Sequence, residues 1–307
     1  MPLRASACYR VPLRALADEW WYARPDALYA VVWADRLDGD EVTSTGRAGR
    51  PWCCHVSEAP IYRLVLWNID LTLVDVARVS REAYAEAFRR VTGRPLVALP
   101  QTAGRTDSEI FFEALALNEA SPAPVPDLAD AGGQELLARY ARELAAAFGS
   151  RLDLLATRGR ALPGAREAVA EVASLPGVIQ SVLTGTIRPN AVAKLRAFGM
   201  DGFFDFEVGG YGSEIYPKGA QLLRSRGRAA EKYGTDIGGN STVYLADSGR
   251  DVEAARIGGA RCIAVASGRS TAGELREAGA DLVLDDLADT ASVVRAVDLL
   301  TSAVSAG

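Results

Sequence analysis

The sequence predicts an α/β protein: a three-layer core built on a parallel sheet, with an all-helical segment inserted into it. Three observations lead there. After Pro163-Gly164, short apolar runs alternate with helical patterns of roughly 10–15 residues, as parallel strands covered on both faces require. Before that point, residues 80–160 carry helical patterns only. The 307 residues are 49% hydrophobic and 24% charged, enough apolar side chains for a large buried core.

Taken in order, residues 1–60 form an N-terminal extension that holds Trp20, Trp21, Trp33 and Trp52 and lacks sustained periodicity after Asp40. An extension that folds back onto the core accounts for it more simply than a partner-binding surface. The run IYRLVLW at 61–67 is almost continuously apolar and reads as a buried parallel strand whose functional end is Asn68, with Trp67 as a packing aromatic. Residues 80–92 place Ala83, Tyr84, Ala87, Phe88 and Val91 on one helical stripe, with Ser80 as N-cap and Gly93 as stop. Helices follow at 108–117 and at 135–148, the second with Leu136, Leu137, Tyr140, Leu144 and Phe148 on one face, and the prolines of 121–127 make a loop between them. Then come helix 165–174, strand 178–183, helix 188–198, strand 203–208, helix 218–232, strand 242–246, helix 250–257, strand 262–266, helix 271–278 and strand 281–284. The expected domains are the extension 1–60, a core of 61–79 plus 161–307, and a helical block at 80–160.

Composition excludes several chemistries. The net charge of −5 opposes binding to nucleic acid or to an anionic membrane, both of which need a concentrated positive field. His55 is the only histidine, so two-histidine metal motifs cannot form. Lys194, Lys218 and Lys232 are the only lysines among 34 basic residues, and none follows a glycine and precedes Ser or Thr as a phosphate-binding P-loop demands. Four cysteines are too few for a disulfide framework, and Cys53-Cys54-His55 lacks the usual spacer of a metal knuckle. No apolar stretch reaches the ~18 residues of a membrane helix, and Arg4, Arg10, Arg14, Asp18 and Glu19 interrupt the start where a signal peptide keeps an apolar run. A cytoplasmic location is the expectation.

Ligands of open parallel sheets bind beyond the carboxyl ends of the strands. That rule brings Asn68-Ile69-Asp70, Thr184-Gly185 and Asp247-Ser248 to one rim, with Asp251 four residues on and Lys218 before the strand leading to Asp247. Taken singly, such Asp and Thr residues are more often helix caps and turn formers. Together, carboxylates, a hydroxyl and a cation suit a hard divalent metal that holds a phosphate.

The segments LVLWNIDLTL at 64–73, SVLTGTIRPN at 181–190, Lys218, and YLADSGRDVEAAR at 244–256 resemble the four ordered motifs of the haloacid dehalogenase superfamily, in particular its phosphoglycolate-phosphatase-like members with a helical cap. The resemblance spans about residues 61–290, and it leaves 1–60 without a counterpart. It implies a Rossmann-like core, a cap at 80–160, Mg²⁺ as cofactor, and hydrolysis of a small phosphorylated metabolite. In that family the first motif reads Asp-x-Asp-Gly-Thr, and its first Asp attacks phosphorus. Carried over, Asp70 protonates the leaving group, then activates water and lends its carbonyl to the metal. Thr184 and Gly185 bind phosphate, Lys218 neutralises charge, Asp247 ligates Mg²⁺ with Asp251 in support, and Arg105 in Gly104-Arg105-Thr106-Asp107 contacts the substrate. The plainer account of that last segment is a helix start capped by Thr106 or Asp107, and Arg188 is either a further anion contact or a solvated arginine.

Two departures stand out. Asn68 occupies the position of the nucleophile and would also sit in the metal site; an amide is neutral and weakly nucleophilic. Leu71 replaces the motif glycine. Three explanations follow: an Asp-to-Asn change made to trap substrate, a chain that binds a phosphorylated ligand or regulates a partner without turnover, or residual hydrolysis in which Asp70 activates water directly.

Overall fold

The computed structural model describes residues 62–119, 131–213 and 217–301. The N-terminal extension, Cys53-Cys54-His55 and the proline loop at 121–127 lie outside the described residues.

Strand β1 (Arg63–Trp67) is followed by the two-residue β2 (Val74–Asp75) and four helices, α1 (Ala77–Thr92), α2 (Asp107–Leu117), α3 (Ala131–Gly149) and α4 (Leu152–Arg158). Strand β3 (Arg160–Ala161) then pairs antiparallel with β2, so the helical insertion leaves and rejoins the core through one short ribbon. The remainder alternates: α5 (Ala165–Ala173), β4 (Val178–Val182), α6 (Arg188–Ala197), α7 (Lys218–Tyr233), β5 (Thr242–Ala246), α8 (Gly249–Ile257), β6 (Arg261–Val265), α9 (Ala272–Glu277), β7 (Leu282–Leu284) and α10 (Thr290–Thr301). The five long strands form one parallel sheet in the order β4-β1-β5-β6-β7.

Alternation of side chains explains the apolar run that predicted β1. Val65 and Trp67 point into one hydrophobic cluster, Leu64 and Leu66 into the other, and all four are fully buried. Each such aliphatic side chain contributes roughly 1.5–3 kcal/mol relative to exposure. Trp67 is a core residue, as expected, and its indole N–H donates to Gln180 Oε1 at 3.0 Å. With β1 central, the chain runs outward to β4 on one side and to β5 on the other. The ends of β1, β4 and β5 therefore meet at the point where the winding reverses.

The structure corrects the expected elements in four places. Ser80 does not cap α1, because the ribbon fixes the entry at Asp75, whose Oδ1 accepts from the Ala77 N–H at 3.3 Å, and the helix starts three residues early. Residues 203–208 are not a strand: after a 3₁₀ turn at Asp201–Phe203 the segment runs along the edge of β4, joined by Asp205 N–H to Gln180 O (2.8 Å) and Ser181 Oγ to Asp205 O (2.6 Å) rather than by a ladder. That arrangement covers the exposed strand edge. Helix α3 starts earlier than expected, and α4, α10 and the β2–β3 ribbon were not foreseen. Gly93 does stop α1, in a left-handed conformation.

Candidate active site

At the end of β1 the chain turns sharply. Leu71 holds φ +62°, and its N–H donates to Val74 O at 2.8 Å while Ser267 Oγ donates to its carbonyl at 2.7 Å. The loop thus keeps a backbone shape suited to glycine while carrying a branched side chain, at a cost of roughly 1–2 kcal/mol.

This turn presents Asn68, Asp70 and Thr72. Asn68 is buried, and its Nδ2 donates both to Asp247 Oδ1 (2.9 Å) and to the Asp70 carbonyl (3.1 Å), while its Oδ1 accepts from Lys218 Nζ at 3.4 Å. Thr72 Oγ1 donates to the same Asp247 oxygen at 2.9 Å. Burial, then the neighbouring Asp251 charge, push the Asp247 carboxyl up to about 7. Asp251 itself is fully enclosed: its Oδ1 pairs with Lys218 Nζ at 2.6 Å and accepts from the Tyr244 hydroxyl at 2.9 Å, and its Oδ2 accepts from Ser248 Oγ. Asp251 therefore fixes Lys218 from behind the cavity, whereas the sequence placed it in support of the metal ligand Asp247.

The oxygens of Asp247 and of the Asp70 carbonyl converge on a single atom, the Asn68 amide nitrogen. Hard oxygen donors of this kind suit Mg²⁺, and a half-turn of the amide would add a third. The turn would also swing the amide N–H groups toward the Lys218 ammonium. Among the described residues no group of three His, Cys, Asp or Glu side chains forms a metal cluster.

Thr184 lies buried at the end of β4, where its Oγ1 accepts from the Thr186 N–H at 3.2 Å. The Gly185 N–H has no partner among the described residues, and its Cα faces the insertion so closely that a Cβ would come 1.8 Å from Arg105 O. Asp107 N–H donates to Gly185 O at 2.7 Å, and the Asp107 carboxylate accepts from Ile187 N–H (2.8 Å) and the Tyr84 hydroxyl (2.6 Å). Burial raises this carboxyl to about 6. Thr106 caps α2 in a reciprocal capping box with Glu109, as the plainer account of this segment held.

Asn68, Asp70, Thr184, Gly185, Lys218, Asp247 and Arg105 all line one cavity of about 100 Å³, while Asp251 is buried outside its lining. Arg105, just ahead of the cap of α2, is ion-paired with Glu113 of that helix. Arg188 stands apart from the cavity, exposed, with its guanidinium 5.9 Å from the Tyr211 ring.

Lys194 went unrecognised in the sequence. It is almost wholly buried on α6, and its ammonium donates to both Asp70 oxygens (2.8 and 2.7 Å) and to Thr186 Oγ1 (3.0 Å), with the Phe148 ring of α3 at 5.7 Å. Thr186 Oγ1 donates in turn to Asp70 Oδ2 at 3.0 Å. The available signal was position: Lys194 shares a helix face with the apolar Ala191 and Leu195. Asp107 was read only as a possible cap, and its bonds cross to a loop some eighty residues distant, which no local pattern encodes.

A family model described as haloacid dehalogenase-like hydrolase matches residues 65–256, and a second, HAD-hydrolase-like, matches 225–290. Solved structures share the fold. A predicted phosphoglycolate phosphatase from Haemophilus somnus is 20% identical, covering 76% of this chain and 97% of its own, with TM-score 0.51. CbbY from Rhodobacter sphaeroides, solved with phosphate, is 24% identical over 75% and 96% of the two chains, TM-score 0.51. A hydrolase from Pseudomonas syringae is 20% identical over 77% and 99%, TM-score 0.54. No curated protein matches the chain in sequence.

Proposed function

Because the chain belongs to the haloacid dehalogenase-like hydrolases, we propose that it takes a small phosphomonoester, in the manner of a phosphoglycolate phosphatase, with Mg²⁺ as cofactor, and that Asn68 leaves turnover slow. The observation that carries this reading is that Asn68 bonds both Asp247 and Lys218 in one cavity that Thr184 also lines. The Thr184 hydroxyl, the free Gly185 N–H and Lys218 supply donors for phosphate oxygens. Mg²⁺ would be held by the Asp247 carboxylate, the Asp70 carbonyl and a turned Asn68 amide oxygen, and when bound it would polarise the phosphoryl group. The phosphate in the Rhodobacter CbbY structure supports the ligand class.

An amide at position 68 cannot supply the electron pair for a covalent phosphoenzyme. The remaining route is direct attack by water, with the Asp70 carboxylate as proton acceptor. The Lys194 ammonium, hydrogen-bonded to both of its oxygens, holds that carboxylate at the cavity. Loss of a covalent nucleophile costs on the order of 10⁶ in rate in the serine-protease case. A second reading, a non-catalytic binder of the same ligands, is favoured by the bond from Asn68 Nδ2 to Asp247, which ties up the carboxylate that would hold the metal.

The test is Mg²⁺-dependent phosphate release from a panel of small phosphomonoesters by this chain and by Asn68→Asp. Slow release by the chain and an increase of several orders of magnitude in the variant supports the proposal. Release by the variant alone favours the binder. Equal rates would overturn the role given to position 68.

A further inference from the structure

The phosphate end of the cavity accounts for only part of its charge. Of its cationic side chains, Lys194 is paired with Asp70, Lys218 with Asp251 and Arg105 with Glu113. Arg81 and Arg269 line it too, and among the described residues neither meets a carboxylate or makes a hydrogen bond. The acidic groups nearby are already engaged: Asp75 is bound by Arg160, and Glu82 by Arg151 and Arg158.

The two arginines are brought to the same place by different parts of the chain. Ala77, Ser80, Arg81 and Tyr84 of α1 line the cavity with the i, i+3, i+4, i+7 spacing of a single helix face. Arg269 comes from the loop after β6. There Gly268 backs onto the metal-site carboxylate so closely that a Cβ would lie 2.0 Å from Asp247 Oδ2. Ser267 ties the same loop to the Leu71 carbonyl. The loop is therefore anchored at the phosphate end, and its next residue reaches the outer part of the cavity. Outside lies a wider hollow of about 500 Å³, and Arg81 and Arg269 line both spaces. On the α1 side, Ser80 Oγ is buried without a hydrogen-bond partner among the described residues.

We infer that Arg81 and Arg269 form a subsite for a second anionic group, so that the preferred ligand is a phosphomonoester with a negative charge at its far end. Two guanidiniums without a carboxylate partner among the described residues favour a carboxylate or a phosphate over a neutral hydroxyl, because charge-assisted hydrogen bonds are the stronger ones. The inference rests on the phosphomonoester reading above and narrows it.

Isothermal titration of the full chain with Mg²⁺ tests it, using inorganic phosphate and two matched pairs. Glycerol 3-phosphate against 3-phosphoglycerate reads a carboxylate. Fructose 6-phosphate against fructose 1,6-bisphosphate reads a second phosphate. The expected result is an affinity at least about tenfold higher for the anionic member of one pair, which also identifies the group. That margin should shrink in Arg81→Met and in Arg269→Met, and vanish when both are changed. Both side chains are exposed, so the fold does not depend on them. Binding of inorganic phosphate with no preference in either pair would overturn the subsite alone, as would a margin that survives the double change. Failure of the chain to bind inorganic phosphate or any ester would overturn the phosphomonoester reading and the subsite with it.

Discussion

Residue by residue, the site was legible wherever a motif residue sits at a strand end, and illegible wherever its partner comes from a distant helix. Asn68, Asp70, Thr184 and Asp247 follow from the rule that parallel strands deliver their functional groups at one rim, and Lys218, the first residue of α7, from the motif resemblance. Lys194 and Asp107 do not, because their roles are set by tertiary bonds to Asp70 and Ile187. Leu71 stands where the motif has glycine, yet the turn is kept at φ +62°. Leu71→Gly should therefore stabilise the fold by about 1 kcal/mol, as denaturant unfolding can show. Asp107 gives a pH-dependent test. Burial raises its folded carboxyl from 3.8 to about 6, so folding favours the protonated form. The stabilisation from this group is complete below about pH 4 and is lost as pH rises toward 6. Asp107→Asn cannot titrate, so its stability relative to the parent should improve between pH 4 and pH 6.5 and stay level above that. A constant difference across the range would mean that the carboxyl titrates normally.

Among the elements, periodicity located the helices and strands whose two faces meet different surroundings. Strand 242–246 matches β5 to the residue, since Val243 and Leu245 face one core and Tyr244 and Ala246 the other. Segment 203–208 misled because Phe203, Phe204 and Phe206 are strand-like residues used instead to cover a sheet edge. The ribbon of β2 and β3 is only two residues long, too short for any alternation to register. Helix α2 has a reciprocal cap in Thr106 and Glu109, and this cap begins the stretch that touches the core. Thr106→Ala should cost about 1 kcal/mol of global stability, read by urea unfolding. Thr106→Ser, which keeps the acceptor, should restore most of it.

At the scale of the whole molecule, the insertion is held to the core opposite its ribbon by Asp107 N–H to Gly185 O, Ser108 N–H to Gly212 O and Ile187 N–H to Asp107. The close backbone approach at Gly185 permits this arrangement. Gly185→Ala places a methyl against Arg105 O and should cost about 1–3 kcal/mol. It should also expose the loop at 93–106 to protease at a concentration that leaves the parent chain intact. Two chain crossings, paired side by side in β2 and β3, leave the insertion with one easy axis of rotation, while sliding it sideways would break the ribbon. Bonds opposite such an axis have the longest lever arm, so a few of them restrain a large body. Helix α3 rests on α6 over Lys194, and the same swing would let water reach the buried Lys194 end of its pair with Asp70. Water raises the local dielectric constant and weakens that pair several-fold. Opening would thus loosen the hold on the Asp70 carboxylate in the same movement that admits a ligand, and closing would restore it.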